Sequence, residues 1–350
     1  MATTVDVYVD PDAGGAANGT SWANAYTALQ TAETAKQADI TLATGSDEIF
    51  IFHCKSGSAG TDGATAFNGW ITAAGNYVQT QGGYAAGETG TPGTPENPTT
   101  YSTDYYRIEG TDTNVLNYQE DFIRADKILC GVTVTGNNIG RAFTSGGVAA
   151  GGIIHWSNCI TKAISMPVAG TGASSGFNGG DSDGTYLIWN CIAYGFISGG
   201  DVNFEGFRLV GSSNVYNCTA YNCERGFSEQ GSQTYNAINC ASFGNVNDFQ
   251  GAWNTIDYCA TDDGDGTNAV TITQSASDYA ALVTDAVNGD FSVTDTSSEL
   301  YNAGDGTTPK GTFTDDIGGN TRGPADGDWD IGAFEFTAAG NPWYYYAQMQ

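Results

Sequence analysis

The sequence has few basic residues, few histidines and little proline. Its 350 residues include 11 Lys plus Arg against 39 Asp plus Glu, with two His and 8 Pro, and the formal net charge is −28. A surface this acidic repels nucleic acid and anionic membranes, which argues against partners of either kind. The same charge argues against a polyanionic substrate such as pectin or alginate.

Long apolar runs and paired cysteines are missing as well. No stretch approaches the length of a transmembrane helix, and residues 1–6 have neither the basic start nor the apolar run of a secretory signal. The eight Cys contain no C-x-x-C pair of the kind that holds a metal or cycles between thiol and disulfide. We therefore expect no membrane span, no metal and no cofactor, and folding in a reducing cytoplasm.

What the sequence has in quantity is glycine, aromatic residues and one short repeated phrase. Glycine accounts for 49 residues, Tyr for 19 and Phe for 16. The phrase consists of one or two apolar residues, then Asn-Cys, then small or β-branched residues; in its last copy Tyr258 replaces the Asn. Its five copies are 153–160 (I-I-H-W-S-N-C-I), 187–193 (L-I-W-N-C-I-A), 214–220 (N-V-Y-N-C-T-A), 236–242 (N-A-I-N-C-A-S) and 255–261 (T-I-D-Y-C-A-T).

The spacing of the copies predicts a solenoid. Their Cys residues are 32, 27, 22 and 19 residues apart, and strand-like segments recurring at such intervals bury their apolar faces against one another. Each copy is too short for a helix, so we interpret it as one strand of one coil of an all-β parallel β-helix. Asn tolerates the left-handed bend between strands and can hydrogen-bond to neighbouring coils, while Cys fills a narrow interior. The predicted structural ladder comprises Asn158, Cys159, Asn190, Cys191, Asn217, Cys218, Asn239, Cys240 and Cys259.

The rest of the chain is assigned from local patterns. Residues 1–46 are predicted to form an N-terminal strand (5–9) and a capping helix that begins after Ser21, because a solenoid needs a cap over its core. Residues 47–336 are predicted to form the β-helix, starting with the strand 48–54. The helix is based on the apolar positions Trp22, Ala25, Tyr26, Leu29 and Ala32. Further predictions are strands at 105–110, 127–130, 132–134 and 291–293, loop insertions near 56–100 and 169–184, and a short helix at 277–287.

The two ends of this region carry a family resemblance. Residues 7–30 (V-Y-V-D-P-D-A-G-G-A-A-N-G-T-S-W-A-N-A-Y-T-A-L-Q) resemble the first coil and cap of right-handed parallel β-helix proteins of the pectate-lyase-like type. The motifs D-F-S-V, S-E-L-Y-N-A-G-D, D-I-G-G-N-T-R-G and D-I-G-A-F-E-F between residues 290 and 336 resemble their last coils. The resemblance implies a right-handed parallel β-helix. Its members include secreted surface proteins, polysaccharide-active enzymes and phage structural proteins, so it implies fold better than function.

The C-terminal tail, 337–350, lies outside the family pattern. Four adjacent aromatic residues on an acidic chain are expected to be covered, either by folding back as a cap on the last coil or by docking on a partner. We favour docking. The predicted docking residues are Pro342, Trp343, Tyr344, Tyr345, Tyr346 and Met349.

Candidate catalytic residues are sparse. Lyases of the family that this chain resembles hold Ca²⁺ with Asp and Glu and use Arg or Lys as the base. Glycosidases of this fold need a pair of carboxylates about 5–9.5 Å apart. The best candidates are Asp181, Asp183, Asp201, Glu205 and Arg208. Because Asp in a Gly/Ser loop is an ordinary turn residue, we do not expect catalysis from this set.

The sequence therefore leaves several functions open. The looser resemblance to phage proteins implies a non-enzymatic structural protein of a bacteriophage virion, a capsid decoration or fibre. Such a protein would be assembled in the host cytoplasm on capsid or other virion proteins, as a homo-oligomer such as a trimer. The alternatives are a secreted, extracellular polysaccharide-active enzyme and a glycan-binding module. In the module, exposed Trp70, Trp156 and Trp189 would stack on sugars.

Overall fold

The computed structural model describes residues 2–57, 61–89, 92–167, 172–198, 203–273, 279–307, 313–323 and 328–337. Short strands dominate this part of the chain, with one α-helix, α1 (Leu29–Lys36), and two 3-10 turns, Trp22–Asn24 and Ala286–Asn288. The strands are β1 (Thr3–Val9), β2 (Glu48–Lys55), β3 (Thr65–Phe67), β4 (Val78–Tyr84), β5 (Arg107–Thr111), β6 (Asn114–Tyr118), β7 (Ile123–Asp126), β8 (Leu129–Thr133), β9 (Arg141–Ser145), β10 (Ile153–Ser157), β11 (Ile160–Ser165), β12 (Ser174–Gly179), β13 (Thr185–Trp189), β14 (Ile192–Tyr194), β15 (Phe204–Leu209), β16 (Ser212–Tyr216), β17 (Thr219–Tyr221), β18 (Arg225–Glu229), β19 (Tyr235–Ile238), β20 (Ala241–Phe243), β21 (Asn247–Gln250), β22 (Thr255–Asp257), β23 (Ala260–Thr261), β24 (Val270–Thr271), β25 (Val283–Asp285) and β26 (Asp290–Val293).

Three parallel sheets form the body of the molecule. Sheet 1 has the order β1-β2-β4-β7-β10-β13-β16-β19-β22, sheet 2 has β24-β23-β20-β17-β14-β11-β8-β5, and sheet 3 has β21-β18-β15-β12-β9-β6-β3. The chain visits sheet 3, sheet 1 and sheet 2 in turn, as in β9, β10 and β11, and pairs each strand with its counterpart one coil away. This is a parallel β-helix, and the predicted fold class is confirmed.

Aromatic side chains stack inside sheet 3 from coil to coil. Phe143, Phe177, Phe207, Phe227 and Phe249 form one column with ring centroids 5.0, 4.8, 4.6 and 4.9 Å apart and nearly parallel ring planes. These distances match the spacing of paired strands, so each coil adds one ring to the column. The first four rings are fully buried and Phe249 nearly so, and they form part of the main apolar core.

The two predicted loop insertions were wrong in part, because each contains sheet strands. The 56–100 region includes β3 and β4, and the 169–184 region includes β12, whose six residues are all buried. The glycines of β12 obscure its strand pattern in the sequence, but the close packing of neighbouring coils requires glycine there. A Cβ on Gly176 would lie 2.4 Å from Thr161 Oγ1 and 2.7 Å from the Gly206 carbonyl oxygen.

The strand predictions outside the repeat are mostly confirmed, with shifted limits. The predicted strand at 105–110 is β5, and the segments 127–130 and 132–134 belong to one strand, β8. Strand β1 pairs with β2 along its whole length, so sheet 1 begins before residue 48, where the sequence placed the first coil.

The N-terminal helix begins later than predicted. Residues 22–24 form a 3-10 turn, and Tyr26 then pairs with β1, since its N–H donates to the Tyr8 carbonyl and its own carbonyl accepts from Asp10 N. The helix α1 starts only at Leu29, whose N–H donates to Asp62 Oδ2 at 2.7 Å. A carboxylate 33 residues away thus supplies the cap that Ser21 was predicted to provide. No described helix is long and apolar enough to span a membrane.

The C-terminal part folds differently from the prediction. The segment 277–287 is not a helix: its described residues hold β25, which pairs antiparallel with β26, and the start of a 3-10 turn. Strand β26 confirms the strand predicted at 291–293. The motifs that resemble last coils do not form coils, because the three sheets end at β22, β24 and β21. The motif D-F-S-V is β26 and packs on sheet 2, where Phe291 contacts Tyr194 and Tyr221. The other three run back along the corner between sheets 1 and 2, where Gly332 N donates to the Asn239 carbonyl at 2.8 Å.

Candidate functional site

The five repeated phrases turn one corner of the β-helix. Each ends a strand of sheet 1 and begins one of sheet 2, so a phrase is a bend between two strands rather than a single strand. The Asn of the bend has a left-handed backbone, with φ of 52° at Asn158, 52° at Asn190, 48° at Asn217 and 57° at Asn239. Asn190 Nδ2 donates to Asn158 Oδ1 at 3.1 Å, and Asn239 Nδ2 donates to Asn217 Oδ1 at 3.4 Å.

The cysteines of the phrases point into the core. Cys159, Cys191, Cys218, Cys240 and Cys259 are fully buried free thiols, and backbone N–H groups of Cys191 and Cys240 donate to the sulfur of the next coil at 3.4 Å. Burial raises the pKa of the Cys191, Cys240 and Cys259 thiols well above the usual range. At these three positions the environment favours neutral packing groups over reactive thiolates.

The C-terminal segment seals this corner. Arg322 is buried and donates to Asn190 Oδ1 at 3.0 Å and to the Gly332 carbonyl at 3.0 Å, and it forms an ion pair with Glu335 at 3.2 Å. Asn217 Nδ2 donates to the Asp330 carbonyl at 3.1 Å. We call the bend between sheets 1 and 2 at Asn158, Asn190, Asn217 and Asn239 the Asn corner. The C-terminal segment covers it, so its role is structural.

Charged side chains gather instead on sheet 3. Strand pairing places Arg141, Ser175, Glu205 and Arg225 in one row across four coils, and Arg208 in the neighbouring row. The Arg208 and Arg225 side chains are 22% and 16% exposed, so the row opens to solvent. We call Arg141, Arg208 and Arg225 with Glu205 the arginine cluster.

Glu205 is the centre of this cluster. Its side chain is 1% exposed; Oε1 accepts from Arg225 Nη1 at 3.0 Å and from Gln230 Nε2 at 3.0 Å, while Oε2 lies 3.2 Å from Arg208 Nε. Burial raises the pKa of the Glu205 carboxyl, and the two arginines oppose that shift. A buried acid between two guanidinium groups fixes their positions.

Arg141 has no such partner. In the described part of the chain it forms no ion pair, and its Nε is buried without an acceptor. Burial lowers the pKa of Arg141 and the charge of Arg208 lowers it further, while the Glu205 carboxylate opposes the shift. The hydroxyl of Ser175, fully buried and next to Arg141 in the row, also lacks a partner. Three cations with one carboxylate leave two positive charges in excess.

The sequence-based candidates are only partly brought together. Glu205 and Arg208 are in contact. The Asp181 carboxylate instead stabilises two loops, because it accepts from Asp183 N at 3.1 Å in its own turn and from Gly147 N at 2.8 Å in the neighbouring coil. Asp183 is exposed, and Asp201 lies outside the described residues. No group of three His, Cys, Asp or Glu among the described residues is placed to hold a metal ion.

Sequence reasoning missed Arg141, Arg225 and Ser175, although a signal existed. Each stands two residues before a Phe of the stacked column, in the tripeptides R-A-F, R-G-F and S-G-F, and Glu205 precedes Phe207 in E-G-F. Aligning those Phe residues would have shown one polar position per coil. The intervals between them are too irregular to reveal the period without coordinates.

The remaining predicted residues fall into two groups. Trp70 and Trp156 are buried in the core, whereas Trp189 is half-buried and reaches the surface of sheet 1. The predicted docking residues of the tail, Pro342, Trp343, Tyr344, Tyr345, Tyr346 and Met349, lie outside the described residues.

Comparison with known proteins adds little to this picture. No family model matches the chain, and no curated protein matches it. A crystal structure of pectate lyase Pel9A aligns over 96% of this chain and 97% of that one, at 15% identity and a TM-score of 0.36. A likeness at this level supports no argument about activity. The fold rests on the strand pairing described above, and the function on the arginine cluster.

Proposed function

We propose that this protein binds an acidic carbohydrate chain across sheet 3, at the arginine cluster. The observation that carries the proposal is Arg141, a guanidinium partly withdrawn from water that forms no ion pair among the described residues and lies near Arg208 as well as Glu205. Arg141, Arg208 and Arg225 share the single carboxylate of Glu205, so the cluster keeps excess positive charge, which costs free energy unless a further anion binds. A bound carboxylate or sulfate group would supply that anion beside the Arg141 guanidinium and accept from the partly exposed Arg208 and Arg225.

The shape of the surface favours a chain over a single ion. The polar row crosses four successive coils, from Arg141 on β9 to Arg225 on β18, with one side chain per coil. Guanidinium groups bind planar carboxylates in two-pronged fashion, which suits uronic acid units. The overall charge of −28 made an anionic ligand unexpected, but the field near a ligand is set by the closest charges once salt screens the distant ones.

Replacing Arg141 tests the proposal. We expect Arg141→Gln to weaken binding of alginate hexasaccharide about tenfold, the usual effect of losing one charge-assisted contact. Arg107→Gln is the matched control, since Arg107 lies on sheet 2 and is paired with Glu109 at 3.1 Å. Calorimetric titration at low and high salt provides the measurement. Equal affinities for wild type and Arg141→Gln, or equal losses in both variants, contradict the proposal.

We also propose, as a second candidate, that the protein is a structural component of a bacteriophage virion. The observation in its favour is the C-terminal end of the coil stack, where Val246 is 69% exposed and Trp253 and Ile256 are only half-buried. An apolar end of a solenoid favours contact with another protein. Together with the aromatic tail, it would dock the rod on capsid or other virion proteins, or on further copies in a homo-oligomer such as a trimer.

Deleting the tail tests this second candidate. We expect a chain lacking residues 338–350 to keep its circular dichroism spectrum and thermal midpoint but to remain monomeric, because the docking aromatics are gone. Light scattering after gel filtration measures the mass of both forms. A variant that unfolds indicates that the tail caps the last coil, and a variant that assembles like the full chain shows that the tail is not the docking element.

A further inference from the structure

Sheet 1 has a groove unrelated to the arginine cluster. It has a volume of about 400 Å³ and crosses β4, β7, β10 and β13, with one wall formed by residues 313–315 of the C-terminal segment. That wall is held in place at Asp315, whose carbonyl accepts from Asn190 Nδ2 at 2.8 Å and Arg322 Nε at 3.2 Å. The groove is therefore built from rigid parts of the fold.

Two side chains on its floor have unused hydrogen-bonding groups. Arg124 and His155 are neighbours in the strand register of β7 and β10. The Arg124 guanidinium lies 3.5 Å from the centre of the Tyr77 ring, which fixes its plane, and within the described residues it has no acceptor and no ion pair. Neither ring nitrogen of His155 has a partner there either. Guanidinium N–H groups and an imidazole thus face the groove unpaired.

The imidazole is neutral under ordinary conditions. Burial lowers the pKa of His155 to about 4, and the charge of Arg124 adds to the shift. A neutral imidazole offers one N–H donor and one nitrogen acceptor. His155 is therefore suited to a hydroxyl group, which both donates and accepts, rather than to a carboxylate.

Two carboxylates complete the polar lining. Asp126 is held by three donors, Gln81 Nε2 at 2.9 Å, Ser157 Oγ at 2.8 Å and Asn158 Nδ2 at 2.7 Å, and it retains acceptor capacity. Asp315 is exposed at the rim. Arg124 and these two acids leave the groove with one negative charge, so an anionic ligand is disfavoured here.

The opposite part of the lining is aromatic. The Trp189 and Phe313 rings are stacked, with centroids 6.0 Å apart and planes 8° apart, and His155 meets the edge of Trp189 at 5.7 Å. Trp189 is half-buried, so part of its indole remains accessible from the groove. An aromatic surface beside fixed donors and acceptors is the combination that binds a molecule with apolar C–H groups and hydroxyls on one ring.

We propose that this groove binds a neutral hexose unit of a glycan, as a second carbohydrate site independent of sheet 3. The C–H groups of the sugar would pack on Trp189, and adjacent hydroxyls would accept from Arg124 and donate to Asp126 and Asp315. His155 would exchange a hydrogen bond with a third hydroxyl. A ligand of this kind satisfies every unpaired group named above without adding charge.

Binding of neutral oligosaccharides by groove variants tests the proposal. We expect wild type to bind mannohexaose or cellohexaose in calorimetric titration. We expect Trp189→Ala to weaken that binding about tenfold, the cost of a typical central contact. We expect Asp315→Asn, which changes an exposed contact at the rim, to weaken it about threefold. Asp183→Asn is the matched control, because it removes the same charge from an exposed turn that the groove does not use. Asp315→Asn keeps the test valid if Trp189→Ala does not fold.

The outcome separates this site from the arginine cluster. Arg141→Gln is expected to leave the binding of mannohexaose or cellohexaose unchanged. The same substitution weakens binding of alginate hexasaccharide if sheet 3 is the acidic-glycan site. His155 is expected to contribute no pH dependence to the affinity between pH 5.5 and 8, since it does not change charge there. Absence of binding of both neutral sugars by wild type, or full affinity in Trp189→Ala and Asp315→Asn, overturns the proposal.

Discussion

At the scale of single residues, the Asn corner shows how one side chain type solves a backbone problem. Each coil must bend into the left-handed region between sheets 1 and 2, which costs an ordinary residue about 1–2 kcal/mol and Asn less. Four coils use Asn, and their amides bond to a neighbouring coil or to the C-terminal segment. The coil before these four bends at Lys127 and the last coil at Tyr258, with φ of 58° and 51°.

Tyr258 is therefore a site where one substitution should stabilise the protein. We expect Tyr258→Asn to raise the free energy of unfolding by about 1 kcal/mol, because Asn reduces the strain of the left-handed backbone. Tyr258 is half-buried, so some packing is lost in exchange. Urea titration of both forms measures the difference. A decrease would show that the Tyr258 ring contributes more than the backbone strain costs.

At the scale of elements, Asp248 shows how a buried acid joins two corners. It lies on β21 and accepts from Ser242 Oγ at 3.0 Å, Asn245 Nδ2 at 2.9 Å and Asp262 N at 2.8 Å. Despite these donors, burial raises the pKa of Asp248 to about 7. Between the ordinary pKa of 3.8 and about pH 7, the Asp248 carboxyl is ionised in the unfolded chain but protonated in the folded protein.

This difference makes stability depend on pH. Since the folded state holds a proton that the unfolded state has lost, the free energy of unfolding should fall as pH rises from about 4 to 7. Asp248→Asn should reduce that slope, while the exposed Asp183→Asn should not. Glu335, whose pKa burial raises to about 7, maintains part of the slope. Urea titrations at pH 4.5, 5.5 and 7.5 provide the comparison. Identical slopes in all three proteins would contradict this assignment.

The elements also show what the sequence could and could not reveal. The corner between sheets 1 and 2 was readable, because Asn and Cys are distinctive residues that recur where the geometry demands them. Sheet 3 was hidden, because strands such as β12 (S-S-G-F-N-G) are mostly Gly and Ser where neighbouring coils approach closely. The start of α1 depended on Asp62, a cap that local patterns cannot find.

The candidate site was hidden for a related reason. Glu205 and Arg208 are three residues apart and were identified together, but Arg141 joins them only through strand pairing across two coils. Loops of different lengths separate those coils, so no sequence period connects the residues. Likewise, Trp189 and Phe313 meet only because the C-terminal segment returns along the Asn corner.

At the scale of the whole molecule, the protein is a stiff stack of coils whose faces have different chemistry. Its interior is held by columns of Phe and Cys, one corner is sealed by the C-terminal segment, and sheets 1 and 3 present different polar surfaces. An acidic chain that concentrates three of its few arginines on one face has a surface suited to anions. A rigid rod with such faces is compatible with both proposed roles, glycan binding and assembly.

The most direct test of the central claim is a crystal structure of the protein with alginate hexasaccharide. The account predicts a uronate carboxylate on sheet 3, beside the guanidinium groups of Arg141 and Arg208. Density for the oligosaccharide in the groove of sheet 1 alone, or an Arg141 that keeps its unpaired position while the sugar binds elsewhere, would contradict it.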